Sequence, residues 1–374
     1  MKPWLLIFSF LLLSSVSTSL NAAKQHAKPK DQFERITPEK AGYSKAVLKQ
    51  LKAHLEQKQS SAMLILHKGK VVFEWGDLYK KHTIHSIRKS LLSSLLGIAW
   101  GEGKVDLNSR LASLDMPEAL KGLAKTEKLA TVKMVLQSRS GIYLPAAAES
   151  QGMKQQKPKR GAHTPGEHFY YNNWDFNFAG YYYEAISGNK LFDAFNRLIA
   201  QPIGMQQFQG ETTSLSINSD QLDDVVIPNS DGFYMYETDL SAIPAYHFRL
   251  STHDLALYGQ LLLNRGKWKG QQIIPEQWID LSTQPYSVTN QQYNLAYGML
   301  WNVIIPDEHQ TEPNAFYHTG TGVHMLGIYP QQDMVMVHRV DTEKQYSFKN
   351  YDLYPVIRLM HQAKQSINSN NSGE

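Results

Sequence analysis

Residues 85–100 read HSIRKSLLSSLLGIAW. As a helix, this stretch places Ile87, Leu91, Leu95 and Ile98 on one stripe and Leu92, Leu96 and Ala99 on an adjacent one. A helix that is apolar around most of its surface is one the fold buries on all sides. Yet it opens on Ser86 and carries Lys89 one turn further in. An unpartnered ammonium is costly to bury, and the usual response is a shifted pKa. Residues three apart share a helix face, so the hydroxyl and the amine can meet. A serine is a weak nucleophile until a base takes its proton, and a lysine pulled by burial below its ordinary value of about 10.4 can be that base. The backbone N–H of Ser86, in the unpaired first turn, can help hold an oxyanion. The plainer reading of the same residues is a serine N-cap and a lysine whose stem reaches out to solvent. A second Ser-x-x-Lys, Ser187 to Lys190, encloses Gly188-Asn189 where a helix ends, and it reads as structural.

Before this helix, Ser44 is an N-cap for a helix running to about Gln57 with Ala46, Leu48, Leu51 and Leu55 as its apolar side. AMLILHKGKVVFEWG (62–76) follows, two β-rich runs about Lys68-Gly69-Lys70, a hairpin. Beyond it, residues 105–142 read as helical with short turns and 143–168 as a long loop rich in Gly, Pro, Lys and Gln. Helices are expected from Trp174 to Ile186, ended by Gly188, and within STHDLALYGQLLLNRGKW (251–268). YGMLWNVII, HMLGIYP and DMVMVHRV are strands, and about Tyr351 to Lys364 is a last amphipathic helix. This order predicts an α+β fold. An antiparallel sheet carries the terminal helices on its face, and a mostly helical insertion, about 105–265, leaves a cleft between the two parts.

The chain has 374 residues, 42% hydrophobic and 19% charged, enough for a large core in one or two interleaved domains. A net charge of +4 without a long basic stripe argues against nucleic acid as a partner. The densest basic run, KQQKPKR (154–160), reads as a solvated loop. There is no cysteine, which excludes disulfides, a thiol nucleophile and a thiolate metal site. Lys2 followed by WLLIFSFLLL and small residues predicts a signal peptide over 1–23, cleaved after Ala22 or Ala23, and hence a periplasmic or secreted protein. A polar linker over 24–35 and a disordered tail over 366–374 bracket the folded part, 36–365.

Two further stretches add chemistry. PGEHFYYNNWDFNFAG (165–180) sets Tyr171 and Asn173 just before a helix, although Tyr170 and Asn172 fit the same spacing. A phenol beside a lysine loses its proton more easily and can exchange protons with nucleophile and leaving group. An asparagine can hold a lysine or a substrate carbonyl. FYHTGTGVHMLGIYP (316–330) offers His318-Thr319-Gly320 before small residues, with the N–H of Thr321 as a second oxyanion donor. Otherwise it is a plain turn between strands. His82 and His85 are three apart, but no His-Glu-x-x-His pattern accompanies them, and no metal is expected.

Ser86-Ile-Arg-Lys89, Tyr171-Asn-Asn173 and His318-Thr-Gly320 resemble, in order and broad spacing, the motifs of serine hydrolases of the class C β-lactamase family. That family includes D-alanyl-D-alanine peptidases, esterases and amide hydrolases. ITPEKAGYSKAVLKQL (36–51) looks like the family's N-terminal helix entry. LQSRSGI (136–142) is similar to its Leu-x-His-x-Ser-Gly turn, with Arg139 in a variable slot, and PGEHFYYNN fits the register on Tyr171 and Asn173. The helix and turn at 251–278 are also similar, so the resemblance spans about 36–365. It implies a β-lactamase/transpeptidase-like fold and an acyl-enzyme on Ser86, with Lys89 and Tyr171 managing protons. The N–H groups of Ser86 and Thr321 would hold the oxyanion, Asn173 would position substrate and Lys89, and no cofactor is implied.

One departure bears on specificity. Class C β-lactamases carry a lysine where this chain has His318, and a histidine is a poor substitute for a permanent cation near pH 7. It could still donate a hydrogen bond to a carboxylate or to Tyr171. The departure puts efficient β-lactamase activity in doubt without removing acyl transfer, and some D-alanyl-D-alanine peptidases of the family also have His-Thr-Gly. The expected function is hydrolysis of small esters or amides, with a small-molecule ester, amide or peptide as the substrate. D-Alanyl-D-alanine carboxypeptidase or weak β-lactamase activity is the alternative, and a non-catalytic penicillin-binding or cell-wall module is the alternative of another class.

Overall fold

The computed structural model describes residues 32–305 and 315–368, without the side chains of 222–224 and 365–368. The expected signal peptide, most of the expected linker and the last six residues of the expected tail lie outside the described residues. Among the described residues, no helix is long and apolar enough to cross a membrane.

The first helix, Lys45–Gln57, starts as expected, with the Ser44 hydroxyl accepting from the N–H of Val47 and Leu48, Leu51 and Leu55 buried. Ala46 is exposed rather than part of the apolar side. The hairpin Ala62–His67 and Lys70–Gly76 follows. Its two-residue turn puts both Lys68 (φ 51°) and Gly69 (φ 70°) in the left-handed region, the backbone that matches strand twist. The end of the expected linker is tied down: Arg35 bridges Val71 and Phe33 is buried.

An eight-stranded antiparallel sheet organises the molecule. Its order is Lys70–Gly76, Ala62–His67, Met334–Arg339, His324–Tyr329, Phe316–Gly320, Asn302–Ile304, Leu295–Tyr297 and Ser287–Asn290. The central strands read as unbroken apolar runs because both faces are covered. Met63, Ile65, Met334 and Met336 face the first helix and the last, Leu353–Asn368. Leu64, Leu66, Val335 and Val337 face the opposite layer, which includes the helices Thr252–Leu263 and Arg88–Gly101. The last helix runs to Asn368, so residues 366–368 of the expected disordered tail are helical.

Arg88–Gly101 is buried at every position from Arg88 to Gly97 and again at Ala99. Its serines are satisfied internally: Ser90 donates to Ile87 O at 2.7 Å, Ser93 to Met299 O at 3.2 Å, and Ser94 meets Tyr258 Oη at 2.7 Å.

The 105–265 stretch holds the expected helix Asn173–Ser187, ended by left-handed Gly188. It also holds three strands that, with His82–Thr83, form a four-stranded sheet, ordered His82–Thr83, Ala245–Leu250, Gly232–Glu237, Thr212–Ile217. Residues 105–142 are mostly turns rather than helix, with Val132–Leu136 the α-helix among them. Asp106 draws the chain into a turn by accepting from the Asn108 N–H and the Ser109 hydroxyl, and Pro117 and Gly122 oppose helix further on. The expected loop 143–168 contains one short helix, Gln151–Gln156. In the basic run, Lys157 pairs with buried Glu149 and Arg160 with Glu127, so the run is not a free patch.

Candidate active site

Three separate pieces of chain converge at the start of the buried helix. The chain enters through His85, whose φ of 48° is unusual for a residue with a side chain. A single 3₁₀ turn, His85–Ile87, follows, and the α-helix begins at Arg88. Ser86 is therefore not an N-cap; its Oγ lies 2.9 Å from Lys89 Nζ. Lys89 is 1% exposed, which excludes the alternative of a lysine reaching out to solvent. Its Nζ lies 4.4 Å from the centre of the Phe176 ring and 4.8 Å from that of Tyr171. Burial, and then the charge of Arg88, hold its pKa well below the ordinary lysine value.

Tyr171 comes from the segment before the Asn173–Ser187 helix, and the register is resolved by contacts. Tyr170 donates its hydroxyl to Met153 O at 2.6 Å and so serves the neighbouring loop. Asn172 caps the helix through Trp174 N–H and donates to Ile142 O. Tyr171 is the tyrosine that flanks Lys89. The expectation that it loses its proton readily is reversed. Burial pushes its pKa up to about 12, against a smaller opposite pull from the Ser86 hydroxyl and Arg88. With Lys89 itself desolvated toward the neutral amine, the phenolate gains little from it, and the Arg88 charge does not outweigh burial.

Asn173 is buried and donates through Nδ2 to the carbonyls of Ala147 and Ala148. It ties the Ala147-Ala148 segment to the start of the helix that follows Tyr171. A hydrogen bond from Asn173 to Lys89, expected from the resemblance, is not among the contacts of either residue.

The third piece is the strand Phe316–Gly320. A Cβ at Gly320 would lie 2.4 Å from Ile84 O and 3.1 Å from His85 Cβ, so only glycine lets this strand close on the Ser86 turn. Gly320→Val is expected to push the strand off that turn and lower the rate of Ser86 acylation on the order of a hundredfold. Stopped-flow measurement with an activated ester checks this, and a rate within about threefold of wild type contradicts it. Thr321 follows in the exposed turn, while Thr319 is half-buried.

His318 is 1% exposed. Its Nδ1 lies 2.9 Å from Thr319 O. A carbonyl can only accept, so Nδ1 carries the proton and Nε2 is left as an acceptor. Nε2 is buried and has no partner among the described residues. Burial, with Lys89 next, brings the His318 pKa down to about 3. His318 is therefore neutral, and in this tautomer it does not donate to a carboxylate or to Tyr171, contrary to the expectation from sequence.

The remaining expectations are placed as follows. His82 Nδ1 faces buried Arg339, whereas His85 Nε2 meets Thr342 Oγ1 at 2.8 Å, so the two rings serve different contacts. No group of three or more His, Asp or Glu side chains among the described residues is arranged to hold a metal. In the second Ser-x-x-Lys, Ser187 accepts from Asn189 N–H and Lys190 pairs with Glu184, which is the structural reading. Arg139 donates to Gly166 O and to Ser287 Oγ, pinning the approach to Tyr171. Sequence reasoning missed Arg88, Phe176 beside Lys89, Tyr246 beneath the Arg88 guanidinium, and Tyr297, whose ring meets that of Tyr171 edge-on at 6.0 Å. Arg88 stood inside the decisive motif as a spacer, and the aromatics carried no spacing signal among many others.

A Beta-lactamase family model matches residues 48–353. Among curated proteins, none matches the chain by sequence. Solved structures with a similar fold include the "putative 6-aminohexanoate-dimer hydrolase from Bacillus anthracis", at 18% identity over 91% of this chain and 88% of that one, TM-score 0.64. A family VIII carboxylesterase matches at 15% identity over 85% of this chain and 97% of its own, TM-score 0.58. A class C β-lactamase in complex with cefoxitin matches at 16% identity over 86% and 99%, TM-score 0.58. At these identities the likeness is one of fold.

Proposed function

This chain belongs to the β-lactamase family, a hydrolase family, and on that premise we propose that it is an exported serine hydrolase cleaving esters or amides of small molecules through an acyl-enzyme on Ser86. The observation that carries this reading is the 2.9 Å approach of Ser86 Oγ to a lysine amine buried away from any carboxylate. Lys89 takes the hydroxyl proton as Oγ bonds to the substrate carbonyl carbon. The backbone N–H groups of Ser86 and Thr321 hold the oxyanion. As the tetrahedral intermediate collapses, the proton passes from Lys89 through the Tyr171 hydroxyl to the leaving oxygen or nitrogen. Water then hydrolyses the acyl-enzyme. Tyr171 acts as a relay, since its raised pKa keeps it protonated at rest. Tyr171→Phe is expected to slow turnover of an alkyl amide by about 10²-fold or more and that of a p-nitrophenyl ester far less, because a nitrophenolate leaves without a proton. Equal losses on both substrates contradict the relay.

His318 weighs against efficient β-lactam hydrolysis, because a buried neutral ring stands where class C β-lactamases carry a permanent cation. Solved relatives of the same fold include a carboxylesterase. Export rests on the N-terminal Lys2 and apolar run. The test is intact-protein mass after brief exposure to a fluorophosphonate, to penicillin and to a short-chain activated ester. The expected result is a stoichiometric fluorophosphonate adduct on Ser86 and rapid ester turnover without a lasting penicillin adduct. A persistent penicilloyl-enzyme favours the peptidase or weak β-lactamase reading, and a folded protein that no reagent labels favours a binding module.

A further inference from the structure

Arg88 stands between the two reacting residues in sequence and is 2% exposed. Its Nη1 lies 3.2 and 3.3 Å from the two ring nitrogens of His247. Its Nη2 donates to Asn177 Oδ1 at 3.4 Å, and the guanidinium sits 4.9 Å from the centre of the Tyr246 ring. None of these partners is an acid, and no carboxylate among the described residues pairs with it.

This placement breaks two local rules at once. A buried cation is normally paired, and a cation in the first turn of a helix is opposed by the helix dipole. Arg88 violates both within a helix whose other polar groups are satisfied. Local rules are broken most often where function requires it. The second cation beside it is Lys89. Arginine holds its proton under almost any conditions, whereas a buried lysine gives it up. Of two adjacent buried cations without a carboxylate, lysine is the one that becomes neutral.

We propose that Arg88 is a positioning residue of the acylation machinery, its uncompensated guanidinium keeping Lys89 Nζ free to accept the Ser86 proton. The inference rests on the acyl-enzyme reading above. The groups facing Lys89 agree with it. On its own turn these are His85, Ser86 and Arg88. From the Asn173–Ser187 helix and the segment before it they are the Phe176 and Tyr171 rings, and from the two sheets His318 and His247, while the Tyr246 ring faces Arg88 instead. No carboxylate is among them. The same charge acts after the attack: once Lys89 holds the Ser86 proton, repulsion from Arg88 favours passing that proton on to the leaving group.

The pH dependence of Ser86 labelling by a fluorophosphonate tests this, in wild type, Arg88→Gln and Arg88→Lys. In Arg88→Gln the acid limb, where Lys89 takes up a proton, is expected about one pH unit higher. The rate then falls by about tenfold on the acid side and approaches wild type in alkali. Arg88→Lys, which retains a cation, is expected to lie between. A uniform loss at every pH with the limb unmoved overturns the proposal, since that is what a packing role gives. A wild-type chain that is not labelled at Ser86 overturns the acyl-enzyme reading instead. If circular dichroism shows that Arg88→Gln does not fold, the Lys89 Cε resonance is followed in isotope-labelled wild type and Arg88→Lys. Titration in wild type within about half a unit of the ordinary lysine value overturns the proposal; a midpoint further below that value, and higher in Arg88→Lys than in wild type, supports it.

Discussion

Ser86→Ala is expected to abolish turnover, lowering kcat/KM for an activated ester by at least about 10⁴-fold. In the proposed mechanism the covalent intermediate needs Oγ. Tyr171 stands across Lys89 with its pKa raised to about 12, so it is a poor nucleophile. The stability of the variant should hardly change. Ser86 is half-buried, and its hydroxyl meets Lys89 rather than capping the helix. The measurements are ester hydrolysis and fluorophosphonate labelling alongside a urea unfolding curve. A folded Ser86→Ala protein that keeps a tenth of its activity would falsify the nucleophile assignment.

Lys89→Met should lose about 10³–10⁴-fold in kcat/KM while becoming more stable. Methionine fills a similar volume and removes an amine that is buried between two aromatic rings. The sign follows from linkage. Lys89 has a folded-state pKa well below the ordinary value. Between that value and the unfolded one, the unfolded chain binds the extra proton, so acid favours unfolding through this residue. Its penalty is absent above the unfolded pKa and grows as pH falls toward the folded one. The methionine variant loses that slope and gains about 1–3 kcal/mol near neutral pH. Urea midpoints at several pH values check it. The same lowered pKa predicts that wild-type activity falls on the acid side and is already high well below pH 10. A wild-type activity that rises only where an ordinary lysine titrates contradicts this account of Lys89.

Strand and helix patterning was readable wherever one period ran long enough. The Lys45–Gln57 helix, the 62–76 hairpin and the buried helix all follow from apolar spacing and turn chemistry. Residues 105–142 misled because leucines at helix-like spacing there plug the core from turns, held by side chains such as Asp106. The strands at 212–217, 232–237 and 245–250 went unread. Short strands without a clear alternation carry little local signal.

The sequence by itself determined that Ser86 and Lys89 meet at the start of a buried helix, because a three-residue spacing and an apolar surround are local facts, although Ser86 lies on the 3₁₀ turn before it. It also marked Tyr171, Asn173 and the 318–321 stretch as pieces of chemistry. Only the tertiary structure decided their protonation. Burial and the charge of Arg88 pull the Lys89 pKa well down, burial pushes that of Tyr171 up, and the buried His318 ring, bound through Nδ1 to Thr319 O, is left with an unpartnered Nε2. Desolvation and the absence of a nearby carboxylate depend on what distant segments bring to the same few ångströms. Gly320 against Ile84 and Phe176 over Lys89 are such encounters. No spacing within a single segment encodes them.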